Sequence, residues 1–280
     1  MKKLLLCRPR GGFNDMLNQI YLCWEYAKKY DRVLWVDTTR SGFRDCLSHY
    51  FDATPEMNFG IPEGVDKYSC FPREFEGKIL TYESLYQLEL HNWTHISGGP
   101  LLTFEFDRDY AEELLLHEQC GGGDRAIWVL WFLTLNNQIS FEIKKKLVAL
   151  GDYIVIHVRH TDLKTDYRSF YHKIKDRVGS KKAVLCTDSY ECQMYARNVF
   201  SNIEMSSSIP DTQGHRMHDN SELTCFETNV QVLTDLIVLA CGREMLYSKT
   251  ENNLLSGFTE LALRLRGKGL RNKARIFLYG

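Results

Sequence analysis

Short apolar runs that end in polar residues recur along the chain and predict the strands of parallel sheets. Five such runs occur, at residues 3–7, 32–38, 153–156, 183–187 and 244–247. A strand that is buried on both faces is apolar along most of its length, whereas a half-exposed strand alternates apolar and polar residues. We therefore expect these strands to be covered by helices on both sides of a sheet.

Between the runs, apolar residues recur with helical spacing. In residues 16–30 they are Leu17, Ile20, Tyr21, Trp24 and Ala27, which predicts a helix with one apolar face. The remaining predicted helices cover residues 109–117, 140–150, 190–199, 228–241 and 253–266, a short strand is expected at 78–82, and a loop at 206–221. Strands alternating with helices predict βαβ units and hence an α/β fold.

The clearest break in the pattern is the glycine run Gly121–Gly123. At 280 residues the chain is long enough for one large or two smaller domains. We expect an N-terminal domain over residues 1–136 and a C-terminal domain over residues 137–280, each of α/β type.

Composition narrows the function classes. The chain is 44% hydrophobic and 25% charged, and 35 basic against 36 acidic residues give a net charge of −1. This balance does not favour nucleic acid or an anionic membrane as the main partner. The longest apolar run, residues 126–133, is too short to span a bilayer. Nine cysteines without a C-x-x-C pair favour reduced thiols, so we expect a cytoplasmic protein.

The most informative segment is IVIHVRHTD, residues 154–162. A buried strand here ends in His157, Arg159, His160 and Asp162, at the strand end where ligands bind in open parallel sheets. The planar guanidinium of Arg159 has a geometry that suits a phosphate. The alternative is a solvated loop with a structural salt bridge.

Two further turns carry polar groups that suit a nucleotide. Asp188 follows the strand 183–187, where it either caps the next helix or accepts hydrogen bonds from a base or a ribose. Residues 247–262 place hydroxyls and a glycine between a strand and a helix, where backbone N–H groups favour a phosphate. Ser256 or Asn253 could instead simply cap that helix.

A glycine turn follows the first strand. Gly11 and Gly12 permit close backbone approach and precede the N-terminus of a helix, which favours an anion or a polar ligand atom. The alternative is an ordinary tight turn in which Asn14 or Asp15 caps the helix. Taken together, the three turns predict a site for a nucleoside diphosphate.

Four motifs resemble those of the superfamily of α1,6-fucosyltransferases, nodulation-type fucosyltransferases and protein O-fucosyltransferases. HVRHTD at 157–162 is similar to its H-x-R-[RH]-x-D motif, GGFND at 11–15 to its N-terminal turn, and CTDS at 186–189 to its A-T-D-[DS] strand end. Residues 235–262 resemble its last motif, in which an aspartate-bearing helix precedes a strand and a hydroxyl-rich turn. The motifs occur in the family's order and span nearly the whole chain.

The resemblance implies a GT-B fold, in which two Rossmann-like domains face a cleft, and inverting transfer of fucose from GDP-fucose to a glycan without a bound metal. It implies that Arg159 binds the β-phosphate and that Asp188 contacts the nucleoside. The remaining expected contacts to the nucleotide sugar are Gly11, Gly12, Asn14, His157, Asp162, Ser248, Thr250, Ser256 and Gly257.

The sequence departs from the motif at His160, where many members carry a second arginine. The resemblance does not carry over a catalytic base, and Asp15 and Asp166 are the candidates for removing the acceptor proton. Two alternatives stay open: the same fold using another nucleotide sugar, and a non-catalytic module that binds nucleotides or glycans.

Overall fold

The structure is a computed structural model that describes residues 2–96, 98–99, 101–161, 163–209 and 224–267. Two compact units divide the chain, Met1–Thr134 and Leu135–Gly280, whereas the sequence pattern places the boundary two residues later. Asp162 and most of the predicted loop at 206–221 lie outside the described residues.

The N-terminal unit is built on a parallel five-stranded sheet. Its elements are β1 (Leu4–Cys7), α1 (Phe13–Lys29), β2 (Val33–Val36), β3 (Asn58–Phe59), β4 (Cys70–Phe71), β5 (Ser84–Gln87), β6 (Asn92–His95), β7 (Leu114–His117) and α2 (Ala126–Leu130). The strand order is β3-β2-β1-β7-β4, and β5 pairs with β6 as a separate antiparallel hairpin.

Helix α1 forms where the periodic pattern predicts it and begins three residues earlier. Its buried face includes Met16, Leu17, Ile20 and Cys23, all of which are fully buried. Asp15 lies in the first turn, and Lys28 and Lys29 lie in the last, so the charges complement the helix dipole. This packing fixes the glycine turn at the carboxyl end of β1.

Two predicted elements of this unit are wrong. Residues 109–117, predicted as a helix, contain strand β7, which pairs with β1 and β4 inside the sheet. Leu114, Leu115 and Leu116 are fully buried, and a short apolar run does not distinguish a buried strand from a helix segment. Residues 78–82, predicted as a strand, form turns instead. Ile79 and Tyr82 fill the core, whereas Leu80 is exposed.

Charged residues at the carboxyl edge of this first sheet pair with one another. Glu118, which follows β7, is buried and contacts Arg10 and Arg40, while Arg8 pairs with Asp37 at 2.8 Å. Burial alone would raise the pKa of Glu118, yet the attraction of the two arginines holds it below its usual value. The network therefore fastens neighbouring strand ends by pairing three arginines with two carboxylates.

The C-terminal unit is built on a second parallel sheet. Its elements are α3 (Asn137–Leu150), β8 (Ile154–Val158), α4 (Tyr167–Val178), β9 (Ala183–Thr187), α5 (Tyr190–Val199), β10 (Ile203–Met205), α6 (Cys225–Cys241), β11 (Glu244–Tyr247) and α7 (Gly257–Arg266). The strand order is β10-β9-β8-β11, with all neighbours parallel.

Helices cover both faces of this second sheet. Side chains of α4 and α5 pack with Ile154 and Ile156 in one core cluster. On the opposite face Tyr153 donates a hydrogen bond to the carbonyl of Val238 in α6 (2.9 Å). Because the strands are buried on both sides, the polar residues of the motifs collect at their carboxyl ends. No helix in the described ranges is long and apolar enough to cross a bilayer.

Candidate nucleotide site

Asp188 fastens the loop that follows β8. Its carboxylate accepts hydrogen bonds from the backbone N–H groups of His160 (2.8 Å) and Thr161 (3.4 Å) and from the Thr161 hydroxyl. Its Oδ2 also lies 2.9 Å from Nη1 of Arg159. A carboxylate offers about four acceptor positions, and these four donors occupy them. The geometry favours a positioning role for Asp188 over the expected contact with the nucleoside.

Arg159 is fixed on one side and accessible on the other. It lies one residue beyond β8, and its side chain is 31% exposed although it pairs with Asp188. The Thr165 hydroxyl donates to the Arg159 carbonyl (3.0 Å) and so holds the backbone of the loop. A partly exposed guanidinium has a geometry that suits a phosphate.

His160 is positioned for packing rather than for binding a phosphate. Its ring packs edge-on against Tyr167 with the centroids 4.7 Å apart, and its Nδ1 accepts a hydrogen bond from the Thr165 N–H (3.3 Å). Burial lowers the pKa of His160, so the ring is neutral at pH 7. It does not replace the charge of the second arginine in the family motif.

Ser248 and the start of α7 form the neighbouring part of the same edge. The Ser248 N–H donates to the His157 carbonyl (3.0 Å), and the buried Ser248 hydroxyl oxygen makes no hydrogen bond within the described ranges. Ser256 caps α7 by accepting from the Thr259 N–H (3.2 Å). The first N–H groups of that helix, beginning at Gly257, have no intrahelical acceptors. A free hydroxyl beside a helix N-terminus favours an anion.

Thr250 shapes the turn that joins these two features. Its N–H donates to the Leu254 carbonyl (3.0 Å), and its hydroxyl oxygen accepts from the Leu254 N–H (3.2 Å). The N–H of Glu251 donates to the Lys164 carbonyl (3.3 Å), which ties this turn to the loop after β8. The two loops that carry the motifs are therefore in contact.

His157 lies between these loops at the end of β8. It is 5% exposed, and its Nδ1 is 2.8 Å from the Thr259 hydroxyl, which is itself 2.8 Å from the Ser256 hydroxyl. Burial lowers the pKa of His157 to about 4, although the Asp188 charge opposes this shift. The imidazole is therefore neutral at pH 7 and acts as a hydrogen-bonding group only.

A cavity of about 450 Å³ opens beside the end of β10. It is lined by Glu142, Lys145, Lys146, Ala149, Ser206, Ser207, Ser208, Gln231 and Thr234, which come from α3, α6 and the start of the segment after β10. Next to it, the Ser207 hydroxyl donates to Oδ1 of Asp235 in α6 (2.7 Å). Its neighbour Ser206 is buried, whereas Ser208 is exposed.

Asp235 has an unusual environment for a carboxylate. It keeps part of its surface exposed, yet burial raises its pKa to about 6, and the Ser207 hydroxyl and the Lys146 charge only partly offset this. Sequence reasoning noted this residue only within a motif and did not assign it to the site. A useful signal was its place in the otherwise apolar stretch LTDLIVLA, since a charged residue is rarely placed on a buried helix face without a function.

The glycine turn of the N-terminal unit is built as the sequence predicts. Gly11 has φ +85°, and a Cβ there would lie 2.8 Å from Asp15 Oδ2. Gly12 caps α1, and its N–H donates to the Asp15 carboxylate (3.3 Å). Asn14 is buried and accepts, through its carbonyl, a hydrogen bond from the Asn18 amide (2.8 Å).

Both candidate bases act as helix caps. Asp166 is exposed and accepts from the Ser169 N–H (3.0 Å) at the start of α4, and this hydrogen bond lowers its pKa. Asp15 completes the capping interaction with Gly12 in the other unit. A carboxylate with a lowered pKa is a poor proton acceptor at pH 7, which counts against Asp166 as a base.

The expectation of no metal has to account for one D-x-D sequence, Asp107-Arg108-Asp109, because two such aspartates can coordinate a divalent ion. Asp109 pairs with Lys3 and Arg32, each at 3.2 Å, and these basic residues precede β1 and β2. The sequence therefore lies at the amino edge of its sheet, opposite to the edge at which ligands bind in parallel sheets. Within the described ranges no three His, Cys, Asp or Glu residues converge as metal ligands.

Solved structures with the same architecture identify the fold. NodZ α1,6-fucosyltransferase co-crystallised with GDP matches with a TM-score of 0.60 and 17% identity, over 94% of this chain and 92% of that chain. Fucosyltransferase NodZ from Bradyrhizobium matches at 0.59 and 16%, over 94% and 93%. The chain has the GT-B fold of these fucosyltransferases.

A second kind of neighbour agrees with this assignment. POFUT1 in complex with GDP-fucose matches with a TM-score of 0.51 and 14% identity, over 96% of each chain. No protein-family model matches the sequence, and no curated protein matches it. At these identities the likeness establishes the fold, and the activity has to be argued from the site itself.

Proposed function

We propose that this protein is a glycosyltransferase that transfers fucose from GDP-fucose to a glycan acceptor with inversion. The observation that carries the proposal is Arg159, which Asp188 holds at the carboxyl end of a buried strand while part of its guanidinium stays exposed. In a GT-B fold this edge of the C-terminal sheet is the place for the nucleotide. NodZ and POFUT1, which share the fold, were crystallised with GDP or GDP-fucose.

The diphosphate would be held by two kinds of donor. Arg159 supplies a permanent positive charge, and the start of α7 supplies backbone N–H groups. The buried Ser248 hydroxyl has no partner within the described ranges, and a phosphate oxygen would satisfy it. Asp162, Thr250 and Gly257 remain proposed contacts, as do Gly11, Gly12 and Asn14 in the N-terminal unit.

The base would be recognised beside the cavity near β10. Guanine presents two adjacent donors, N1–H and the N2 amine, and a carboxylate can accept from both. Asp235 is the carboxylate next to this cavity, and the Ser207 hydroxyl orients it (2.7 Å). Uracil offers only one N–H on its pairing edge, so this arrangement favours GDP over UDP.

The chemical step would be a direct displacement at the anomeric carbon. An acceptor hydroxyl forms the new glycosidic bond while the bond to the β-phosphate oxygen breaks, and GDP leaves with the bonding electron pair. Negative charge grows on the β-phosphate as this happens, so a preoriented Arg159 stabilises the transition state more than the ground state. Asp15 and Asp166 are the proposed acceptors of the proton, and their capping roles make both weak candidates.

The proposal is tested by measuring fucose release and transfer from GDP-fucose. Arg159→Ala should lower kcat about a hundredfold, the usual effect of losing one donor to a developing charge. Arg159→Lys should restore only part of the rate, because an ammonium lacks the fork of donors. Arg243→Ala is the matched control, since Arg243 pairs with Asp152 at the amino edge of the same sheet.

Three outcomes are informative. Loss of activity in Arg159→Ala with a normal Arg243→Ala supports the proposal. Undiminished activity in Arg159→Ala places the phosphate site elsewhere. Binding of GDP-fucose by the wild type without hydrolysis or transfer to any acceptor of a broad glycan panel would favour a non-catalytic binding module.

A further inference from the structure

Among the charged residues at the cavity beside β10, one lysine and one carboxylate of opposite charge do not pair. Lys146 of α3 lines it, and the carboxylate of Asp235 lies next to it, yet in the described part of the chain Lys146 acts on Asp235 through its charge and not through a direct contact. Lys146 is near enough for its charge to act on Asp235. Lys146 also makes no hydrogen bond to any other described residue.

The cavity holds another unused polar group. The Gln231 side-chain oxygen is buried and has no hydrogen-bond partner within the described ranges. A buried acceptor without a partner costs free energy unless water or a ligand satisfies it. Gln231 lies one helical turn before Asp235 on α6, so both side chains project from the same face of that helix.

A carboxylate and an ammonium side by side suit one particular base edge. The pairing edge of guanine presents, in order, the O6 acceptor, the N1–H donor and the N2 amine donor. If Asp235 accepts from the two donors, the neighbouring position requires a donor for O6. Adenine presents the opposite pattern at this position, because its 6-amino group donates where guanine accepts.

We propose that Lys146 donates a hydrogen bond to O6 of guanine and thereby determines the choice of GDP over ADP. The inference rests on the proposed function, because it assumes that GDP is the nucleotide. It adds a residue of α3, outside all four family motifs, to the site. Its charge remains available for this contact because, among the described residues, Lys146 forms no salt bridge.

The test compares three nucleotides and two variants. GDP and inosine diphosphate both carry O6 and N1–H, whereas 6-thioguanosine diphosphate keeps both donors for Asp235 and replaces O6 with sulfur, a weak acceptor. Lys146→Met should weaken GDP and inosine diphosphate by the same factor, about tenfold or more for a charged hydrogen bond, and should weaken the 6-thio nucleotide much less. Affinities would be measured by calorimetry for all three nucleotides.

Lys145→Met is the control for charge alone. Lys145 lines the same cavity but is exposed, so its removal should weaken all three nucleotides slightly and equally. Lys146→Glu provides a gain of function, since its carboxylate should accept from the 6-amino group and raise the affinity for ADP. Melting curves of each variant would verify that it is folded.

The outcomes separate this inference from the proposed function. Equal GDP affinity in the wild type and Lys146→Met overturns the role of Lys146 alone. An equal loss for all three nucleotides also overturns it, because the effect would then be one of general charge. A wild type that does not bind GDP overturns the proposed function and this inference together.

Discussion

At the scale of single residues, Asp188 fixes the position of Arg159 at the end of β8. Four donors converge on one carboxylate: three belong to residues 160–161, and the fourth is the Arg159 guanidinium. The Arg159 side chain nevertheless stays 31% exposed. Replacing Asp188 would therefore act on the site through Arg159 rather than through a lost contact to the nucleotide.

Protonation of Asp235 makes the stability of the ligand-free protein depend on pH. Its pKa is about 6 in the folded state against about 3.9 in an unfolded chain, so the folded state binds the proton more tightly. The contribution of this group to stability therefore falls as pH rises from about 4 to about 6, and the cost persists above that range. At pH 7.5 the protein carries a charge that is unfavourable until a ligand compensates it.

We accordingly expect Asp235→Asn to stabilise the ligand-free protein at pH 7.5, by about 1–3 kcal/mol, and to have little effect at pH 4. The same variant should bind GDP more weakly, because an amide cannot accept from both guanine donors. Xanthosine diphosphate, whose 2-oxo group accepts, should recover affinity for the variant. Urea unfolding at the two pH values and calorimetry would measure this, and a destabilised variant at pH 7.5 would contradict it.

The sequence pattern singles out some residues of the candidate site and leaves others out. Arg159 and Ser248 could be singled out because they end apolar strands, a pattern visible along the chain. Asp235 and Lys146 lie in the middle of helices, and only the packing of α3 and α6 around β10 brings them to one cavity. Helical periodicity assigns a residue to a face, but it does not say what that face meets.

At the scale of elements, the turn between β1 and α1 contains two glycines, and the backbone conformation requires glycine at only one of them. Gly11 adopts φ +85° and has no space for a Cβ, because Asp15 Oδ2 would be 2.8 Å away. Gly12 has φ −75°, and the nearest atom to an added Cβ is 3.9 Å away. The two adjacent glycines should therefore tolerate alanine very differently.

We expect Gly11→Ala to lower the free energy of unfolding by about 1–3 kcal/mol, through strain at positive φ and the close contact with Asp15. Gly12→Ala should cost about 1 kcal/mol or less, the usual range for an altered N-cap. Chemical denaturation of the two variants gives the comparison directly. If Gly12 contacts the donor sugar, Gly12→Ala should still lower activity despite its stability, and equal stability losses would contradict the argument.

The elements that the sequence predicts well are those with a long periodic or uniform pattern. Helices α1, α3, α5 and α6 and strands β8, β9 and β11 occur where expected, with ends shifted by a few residues. Strand β7 lies in residues predicted as a helix, and its apolar run of three leucines is too short to distinguish the two. Helix α2 lies in an apolar run too short and too uniform for its type to be assigned.

At the scale of the whole molecule, fold and chemistry rest on different observations. The overall likeness to NodZ and POFUT1 covers more than nine-tenths of each chain at 14–17% identity. Such a likeness defines the arrangement of strands and helices, and an α/β fold of this kind serves many reactions. The choice of nucleotide depends instead on a few polar side chains at one sheet edge, among them Arg159, Ser248 and Asp235.

The melting temperature of the whole chain, measured with each nucleotide in turn, reports which nucleotide it binds. A ligand that binds only the folded state stabilises it, by about 2.7 kcal/mol at a hundredfold excess over Kd. For a chain of this size, that corresponds to a rise in Tm of about 5 °C. GDP and GDP-fucose should produce this rise, whereas UDP should not, because its base cannot offer two donors to Asp235.

The rise should persist in EDTA if Arg159 and the α7 N-terminus supply the positive charge. A rise that requires added magnesium or manganese would contradict this source of charge. A larger rise with UDP or CDP than with GDP would overturn the assignment of the base while leaving the fold unaffected.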